Sequence, residues 1–270
     1  MVAMAEGIYP KTASNTVNRY KHQATYDVET IHSIVNTTAV LHVSFVPDPS
    51  DPTPIILPMI GQMGAYPGDE ASGDSTWKCY LHGYVSSRLM NLTRSNEQGI
   101  PLCVAATKVD GFVLTLTPNS HNYNYRSAIL QGHGTIVEDV DEKLWAMKLI
   151  TNSVVPDRYD NTRVPPDSAE MQSTRILKMS ISSASGKVRE GCPEDERKDM
   201  KRDEVLDSVW TGVVPVYEKL ADPIEGPYNR LKNVPDHVGR WVNEENERRE
   251  TYAREAAKKP APLKRPKPSS

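Results

Sequence analysis

The stretch TKVDGFVLTLTPNSHNYNYRSAILQGHG spans residues 107–134 and is read here as part of an antiparallel sheet. Asp110-Gly111 lies between two strand-like runs, PLCVAATKV and FVLTLT, and is the strongest two-residue hairpin signal in the chain. It predicts a tight turn there. A further long strand, YRSAILQGHGTIVED, follows. The segment SHNYNYRS packs tyrosines, asparagines, a histidine, an arginine and serines into its approach. Strand alternation puts Tyr123 and Tyr125 on one face, Asn124 and Arg126 on the other. Taken locally, this is a tyrosine-rich sheet with an exposed arginine. A strand lining a pocket for a polar, aromatic, anionic ligand would need the same groups.

Working outward, AVLHVSFV (39–46), IILPMIGQM (55–63) and WKCYLHGYV (77–85) read as three strands able to pair as a meander. TRILKMSIS alternates like a strand, and VWTGVVPVYEKL reads as the last one. YDVETIHSIVNTT has helical spacing after a capping Asp27, and SSRLMNLTRS opens a helix on serines. DEKLWAMKLITNSVV is amphipathic, with Leu144, Met147, Ile150 and Val154 as its expected apolar side. Asp139, Asp141 and Glu142 read as capping residues. Short strands with two or three inserted helices predict a mainly β, α+β architecture, an antiparallel barrel or sandwich rather than repeated βαβ units.

The 270 residues carry a net charge of -3, which argues against a surface built for nucleic acid. No run approaches the roughly 20 apolar residues of a membrane span. The opening residues are polar, with no signal segment, so the expected location is cytoplasmic, with Cys79, Cys103 and Cys192 as free thiols. Cys103 reads as a small core residue. The cysteine spacing fits no zinc site, and His32, His42 and His133 fall on different elements, so no metal is expected. Residues 1–25 read as an extended arm and 26–221 as the folded domain. Residues 222–270 read as a charged, proline- and lysine-rich extension, partly helical or disordered.

YLHGYVSSRLMN (80–91) carries the chemistry most directly. A strand ends near His82-Gly83, and Ser86, Ser87 and Arg88 open a helix. Backbone N–H groups at a helix start, hydroxyls and a guanidinium suit a phosphate. The plainer reading is a capped helix with a surface arginine.

Together, YLHGYVSSRLMN and residues 107–134 resemble the flavin-nucleotide-binding branch of the pyridoxamine 5′-phosphate oxidase-like superfamily. These are the FMN-binding split barrels, which include the nitroimidazole-resistance proteins. YPKTASNTVNRYKHQATYDVETIHSIVNTTAVLHVSF, SASGKVREG and VWTGVVPV extend the resemblance over roughly residues 8–217. It implies a six-stranded split β-barrel that dimerises, with FMN at the subunit interface. By this resemblance Ser87 and Arg88 contact the phosphate, and His82 and Gly83 match the HG strand end. Pro58, Met59 and Ile60 pass the flavin ring with their backbone, and Asn124, Tyr125, Arg126 and Ser127 match an NYRS segment. Trp210 borders the cofactor, and Lys187 and Arg189 match a KVR segment.

The chain departs from the family where HHSMNYRS becomes SHNYNYRS, placing Ser120 where a histidine is usual. His121 remains as the candidate catalytic proton donor, since imidazole titrates near neutral pH. An acidic loop at 66–76 reads as inserted. The substrate motif of true pyridoxamine phosphate oxidases is missing, so vitamin B6 synthesis is not expected. The leading expectation is a homodimeric FMN-dependent oxidoreductase acting on a small molecule, with NADH or NADPH as electron donor. The alternatives are a non-catalytic flavin or haem carrier, and a split barrel that has lost FMN and serves another small-molecule reaction.

Overall fold

The structure, a computed structural model, describes residues 7–72, 77–96 and 98–261. Its strands are β1 (Ala24–Thr25), β2 (Leu41–Phe45), β3 (Ile55–Met59), β4 (Gly61–Gly64), β5 (Lys78–Tyr84), β6 (Ile100–Leu114), β7 (Asn122–Ile136), β8 (Thr174–Arg189) and β9 (Gly212–Pro215). Its helices are α1 (Val28–Asn36), α2 (Pro67–Ser72), α3 (Arg88–Arg94), α4 (Val140–Val154), α5 (Ser168–Ser173), α6 (Asp203–Leu206) and α7 (Asp236–Lys258). The main strand order is β3-β2-β6-β7-β8-β5-β4; β1 joins β8 and β9 joins β6. The mainly β, helix-decorated class is as expected, with nine strands among the described residues where six were implied.

The chain forms two compact units. One draws on residues up to Asn18, 25–107 and 127–186. The other draws on residues 19–24, 108–126 and the chain from Lys187 onward.

In the first unit, β3 and β4 stand at opposite ends of the strand order yet are separated in sequence by Ile60 alone. One segment therefore pairs with β2 on one side, Leu57 opposite Val43, and with β5 on the other, Gln62 opposite Tyr80. That bends the sheet back on itself as a barrel requires. The expected single strand 55–63 is thus two strands with a corner. Gly61 makes the corner possible: a Cβ there would lie 2.5 Å from Leu81 Cδ2 and 2.9 Å from the Tyr80 carbonyl oxygen. His82 N donates to Ile60 O at 2.9 Å and ties the corner to β5. Leu41, Val43, Leu81, Leu130, Ile176, Leu177 and Met179 fill the interior. At about 25 cal/mol per Å² of buried apolar surface, such side chains are the main stabilising term.

Three further expectations change. Asp110-Gly111 is not a turn, because β6 runs unbroken from Ile100 to Leu114. The turn comes later, where Pro118–Ser120 form a 3-10 helix before β7. Helix α4 buries Glu142, Lys143, Ala146 and Ile150 and leaves Val154 exposed, so its inward face is rotated from the expected one. The rotation is satisfied by polar pairing: Glu142 accepts from Tyr80 OH at 2.9 Å and from Lys178 Nζ at 2.6 Å. The proposed loop at 66–76 contains α2, and residues 73–76 lie outside the described residues. The capping expectations at Asp27 and Asp139 hold, since their carboxylates accept from Thr30 N and Glu142 N.

His32, on the inner face of α1, sits 2.6 Å from Tyr9 OH and against Trp77. Burial pulls its imidazole down to about 4 from an ordinary 6.5. Between those values the unfolded chain takes a proton that the folded chain refuses, so acidification favours unfolding. Urea-unfolding stability should therefore fall as pH drops from about 6.5 to about 4. His32→Gln should flatten that slope. A slope unchanged in the variant would assign the acid sensitivity elsewhere.

Candidate functional site

In the first unit, the outward-facing side chains of the β3 corner are Ile56, Pro58 and Ile60, all exposed. Pro58 stands opposite His42 of β2. As an end strand of the main path, β3 tolerates a proline that donates no N–H. Met59 is half-buried beside them.

His82 is exposed near the end of β5, and Gly83 is buried. A Cβ on Gly83 would lie 2.2 Å from Met90 Cε, so glycine lets the buried Met90 of α3 lie close against β5. Ser87 caps α3 by accepting from Met90 N at 3.4 Å. Arg88 follows, exposed and without an ion pair among the described residues. It borders a cleft of about 630 Å³ with Asp48, Asp51, Asn91 and Ser95. Asp48 lies below the usual carboxylate range, chiefly because it accepts from the Ser50 backbone and hydroxyl, with Arg88 adding a smaller pull. Ser127 lies half-buried on β7 in the same unit.

The second unit holds the rest of the sequence-derived set. Asn124 is fully buried; its Oδ1 accepts from Arg189 Nη1 and its Nδ2 donates to Gly191 O at 3.2 Å. Arg189 is itself buried, donates also to Cys192 O, and is pushed below its ordinary pKa by that burial. Arg126 makes a two-pronged bond to Asp110, Nε to Oδ2 at 2.9 Å and Nη2 to Oδ1 at 2.7 Å. Its guanidinium lies 3.6 Å from the ring centroid of Tyr252 on α7, and Tyr252 OH donates to Glu190 at 2.8 Å. Tyr125 OH donates to Gln23 at 3.3 Å, and Lys187 Nζ lies 5.4 Å from the Tyr20 ring centroid and 5.9 Å from that of Tyr125. Trp210 is 67% exposed over Gly212.

His121 Nδ1 accepts from Thr115 N at 3.1 Å, which places the ring proton on Nε2 in the neutral form. The imidazole is exposed and oriented to donate through that nitrogen.

Sequence reasoning missed Lys108 and Tyr252. Burial, then neighbouring Arg126, Arg248 and Arg249, pushes the Lys108 amine down to about 8. Nothing in TKV marks that shift, because its causes lie on β7 and α7. Tyr252 sits in a run whose charge hides its one aromatic contact to Arg126.

Cys103 is half-buried rather than a core residue, and it lines a second cavity of about 800 Å³ in the first unit. Among the described residues no group of three His, Cys, Asp or Glu side chains could hold a metal. Among them, too, no helix is long and apolar enough to cross a membrane.

Residues 27–188 match the family described as pyridoxamine 5′-phosphate oxidase. The solved structure of the flavocytochrome Anf3 from Azotobacter vinelandii aligns over 85% of this chain and 97% of its own, at 24% identity and a TM-score of 0.70. That of the FAD and haem binding protein from Mycobacterium smegmatis aligns over 81% and 97%, at 25% identity and a TM-score of 0.64. No curated protein matches the chain.

The Asp110–Arg126 pair is shielded, with side chains 6% and 12% exposed. Asp110→Asn leaves a half-buried guanidinium without its counter-charge, a loss of about 3 kcal/mol. Urea unfolding of the variant should show a drop of that order. A change under about 0.5 kcal/mol would mean that solvent already screens the pair.

Proposed function

Because the chain belongs to the pyridoxamine 5′-phosphate oxidase family, whose fold is the split β-barrel, we propose that it binds a flavin nucleotide and works as a flavin-dependent oxidoreductase. The observation that carries this reading is the state of Arg88. It is an exposed guanidinium with no ion pair among the described residues, at the head of α3 and on the rim of a cleft. The other arginines of the sequence-derived set are committed, Arg126 to Asp110 and Tyr252 and Arg189 to Asn124 and backbone carbonyls.

The donor set of the first unit fits the group. Arg88 and the Ser87 hydroxyl supply charge-assisted and neutral bonds for a phosphate. Pro58, Met59 and Ile60 offer strand backbone and apolar surface to a ring, and His82 and Gly83 close the neighbouring strand end. FMN is the nucleotide this set suits, since it needs one phosphate contact rather than two. The flavin, when bound, supplies transfer of an electron pair, with NADH or NADPH as donor. His121 is the proposed catalytic residue, its Nε2–H donating a hydrogen bond toward a small-molecule substrate. Asn124 and Arg126 hold the second unit together, while Tyr125, Lys187 and Trp210 keep exposed or half-exposed surface for contact with a ligand.

A homodimer is part of the proposal. Ile56 is 61% exposed and Ile60 is 41% exposed on one corner, with Val40 and Val46 also uncovered in the same unit. Covering such a surface with a second copy would remove apolar area from water.

The second reading adds haem to the flavin. It is favoured by the FAD and haem binding protein from Mycobacterium smegmatis, similar to this chain at 25% identity over nearly all of its own length.

The absorption spectrum of the purified protein tests these readings. A flavin envelope that bleaches with NADH or NADPH supports the first, and an added Soret band supports the second. A colourless protein that ignores added FMN defeats both. Arg88→Ala should weaken FMN binding by roughly 10- to 150-fold, the equivalent of about 1.5–3 kcal/mol for a charge-assisted contact. Asp48→Asn should strengthen it a few-fold, because a carboxylate that competes for Arg88 is removed. Ile56→Lys should shift the light-scattering mass from dimer to monomer. An unchanged dimer would place the interface elsewhere.

A further inference from the structure

The first unit holds two cavities of opposite character. The cleft at Arg88 is lined by charge, with Asp48 and Asp51 on its walls. The larger one, about 800 Å³, has no Asp, Glu, Lys or Arg in its lining. Phe45, Leu92 and Leu102 give it apolar walls, and Pro49, Leu92 and Ser95 are common to both cavities. Its volume lies within the range of about 300–1,000 Å³ typical of small-molecule sites. A charged ligand would lose its hydration there without finding a counter-charge.

The polar groups on its wall are few and oriented. Gln131 Oε1 accepts from Ser14 Oγ at 2.8 Å and from Ser183 Oγ at 3.0 Å. With Oε1 turned to both hydroxyls, Nε2 is left as the donating end of the amide. That Nε2 has no hydrogen-bond partner among the described residues. His133, exposed on the same wall, adds an imidazole beside that amide. The cavity thus combines apolar walls, no fixed charge and a held amide donor.

We propose that this cavity binds a neutral, flat ring compound carrying a carbonyl oxygen, the ring lying among Phe45, Leu92 and Leu102 and the carbonyl accepting from Gln131 Nε2. The proposal goes beyond flavin binding and does not depend on it. Phosphate recognition belongs to the Arg88 cleft, whereas this site selects against charge.

Cys103 provides the readout, because it lines the cavity and is half-buried. Cys79 is buried, with its thiol pushed up to about 12, and Cys192 is exposed. In a Cys192→Ser protein, Cys103 is therefore the thiol that alkylates. Burial raises its pKa as well, so the reaction is slow and easily timed at mildly alkaline pH. The probe is flavone, with a carboxylated flavone as the charged control and FMN as the competitor.

Flavone should slow Cys103 alkylation at least about tenfold at saturation. The carboxylated analogue and FMN should not. Gln131→Glu keeps an acceptor for both serine hydroxyls and removes the amide donor, so flavone affinity by equilibrium dialysis should fall roughly tenfold. Leu92→Met should bind as the parent does, and its thermal transition checks folding. Alkylation unchanged by flavone overturns the proposal, and so does equal protection by the charged analogue. Protection by FMN but not flavone also overturns it, by making this cavity the flavin's own seat. Protection by flavone in a protein that binds no FMN leaves this site standing and removes the flavin reading instead.

Discussion

The corner at Ile60-Gly61 is the constraint on which the first unit depends. A flat sheet with β3 and β4 at its ends would expose two edges. Here the two end strands are one continuous segment with a bend, so the sheet closes and each half of the segment pairs with a different neighbour. Only a residue without a Cβ fits against the Tyr80 carbonyl and Leu81 at that bend. The closure also explains why Ile56, Pro58 and Ile60 face outward. The alternation that puts Leu41 and Val43 inside, with Met59 and Leu57 opposite them, leaves Ile56 and Pro58 on the other surface.

Electrostatics then sort the cations. Arg126 has a carboxylate at both prongs and an aromatic ring on its face, the arrangement that makes an arginine structural. Arg189 is buried on neutral acceptors, Asn124 Oδ1 and two backbone carbonyls. Both are held by groups drawn from distant parts of the sequence. Arg88 is different because α3 is short and exposed at its start, and Asp48, a carboxylate of the same cleft, already accepts from Ser50. A guanidinium in that setting can exchange a weak partner for a better one.

The two cavities of the first unit divide the same way. Where the β2–β3 connection supplies Asp48 and Asp51 and α3 supplies Arg88, the cleft suits charge. Where the start of β6 and the end of β7 meet α3, the lining is apolar with fixed dipoles. Leu92, on α3, belongs to both, so one short helix divides a polar space from a neutral one.

Much of this was legible in the residues. Alternation located β2, β5 and β8, helical spacing located α1 and α4, and Asp27 and Asp139 announced their caps, because these features depend on neighbours within a few positions. The HG and SSR motifs placed the head of α3 for the same reason. What failed was whatever depends on partners far along the chain. Asp110-Gly111 carries strong turn chemistry, yet Asp110 is held by Arg126 and Gly111 pairs with Pro215 of β9, so the strand continues. The apolar stripe of α4 was misjudged because Glu142 is buried by Tyr80 and Lys178, 62 and 36 positions away. By itself the sequence determined the strand-rich class, the family resemblance and the identity of the candidate cations. Only the tertiary structure decided which cation is paired, where the sheet turns its corner and which cavity carries no charge. Pairing, closure and cavity polarity are sums over contacts between segments, and local spacing carries no record of them.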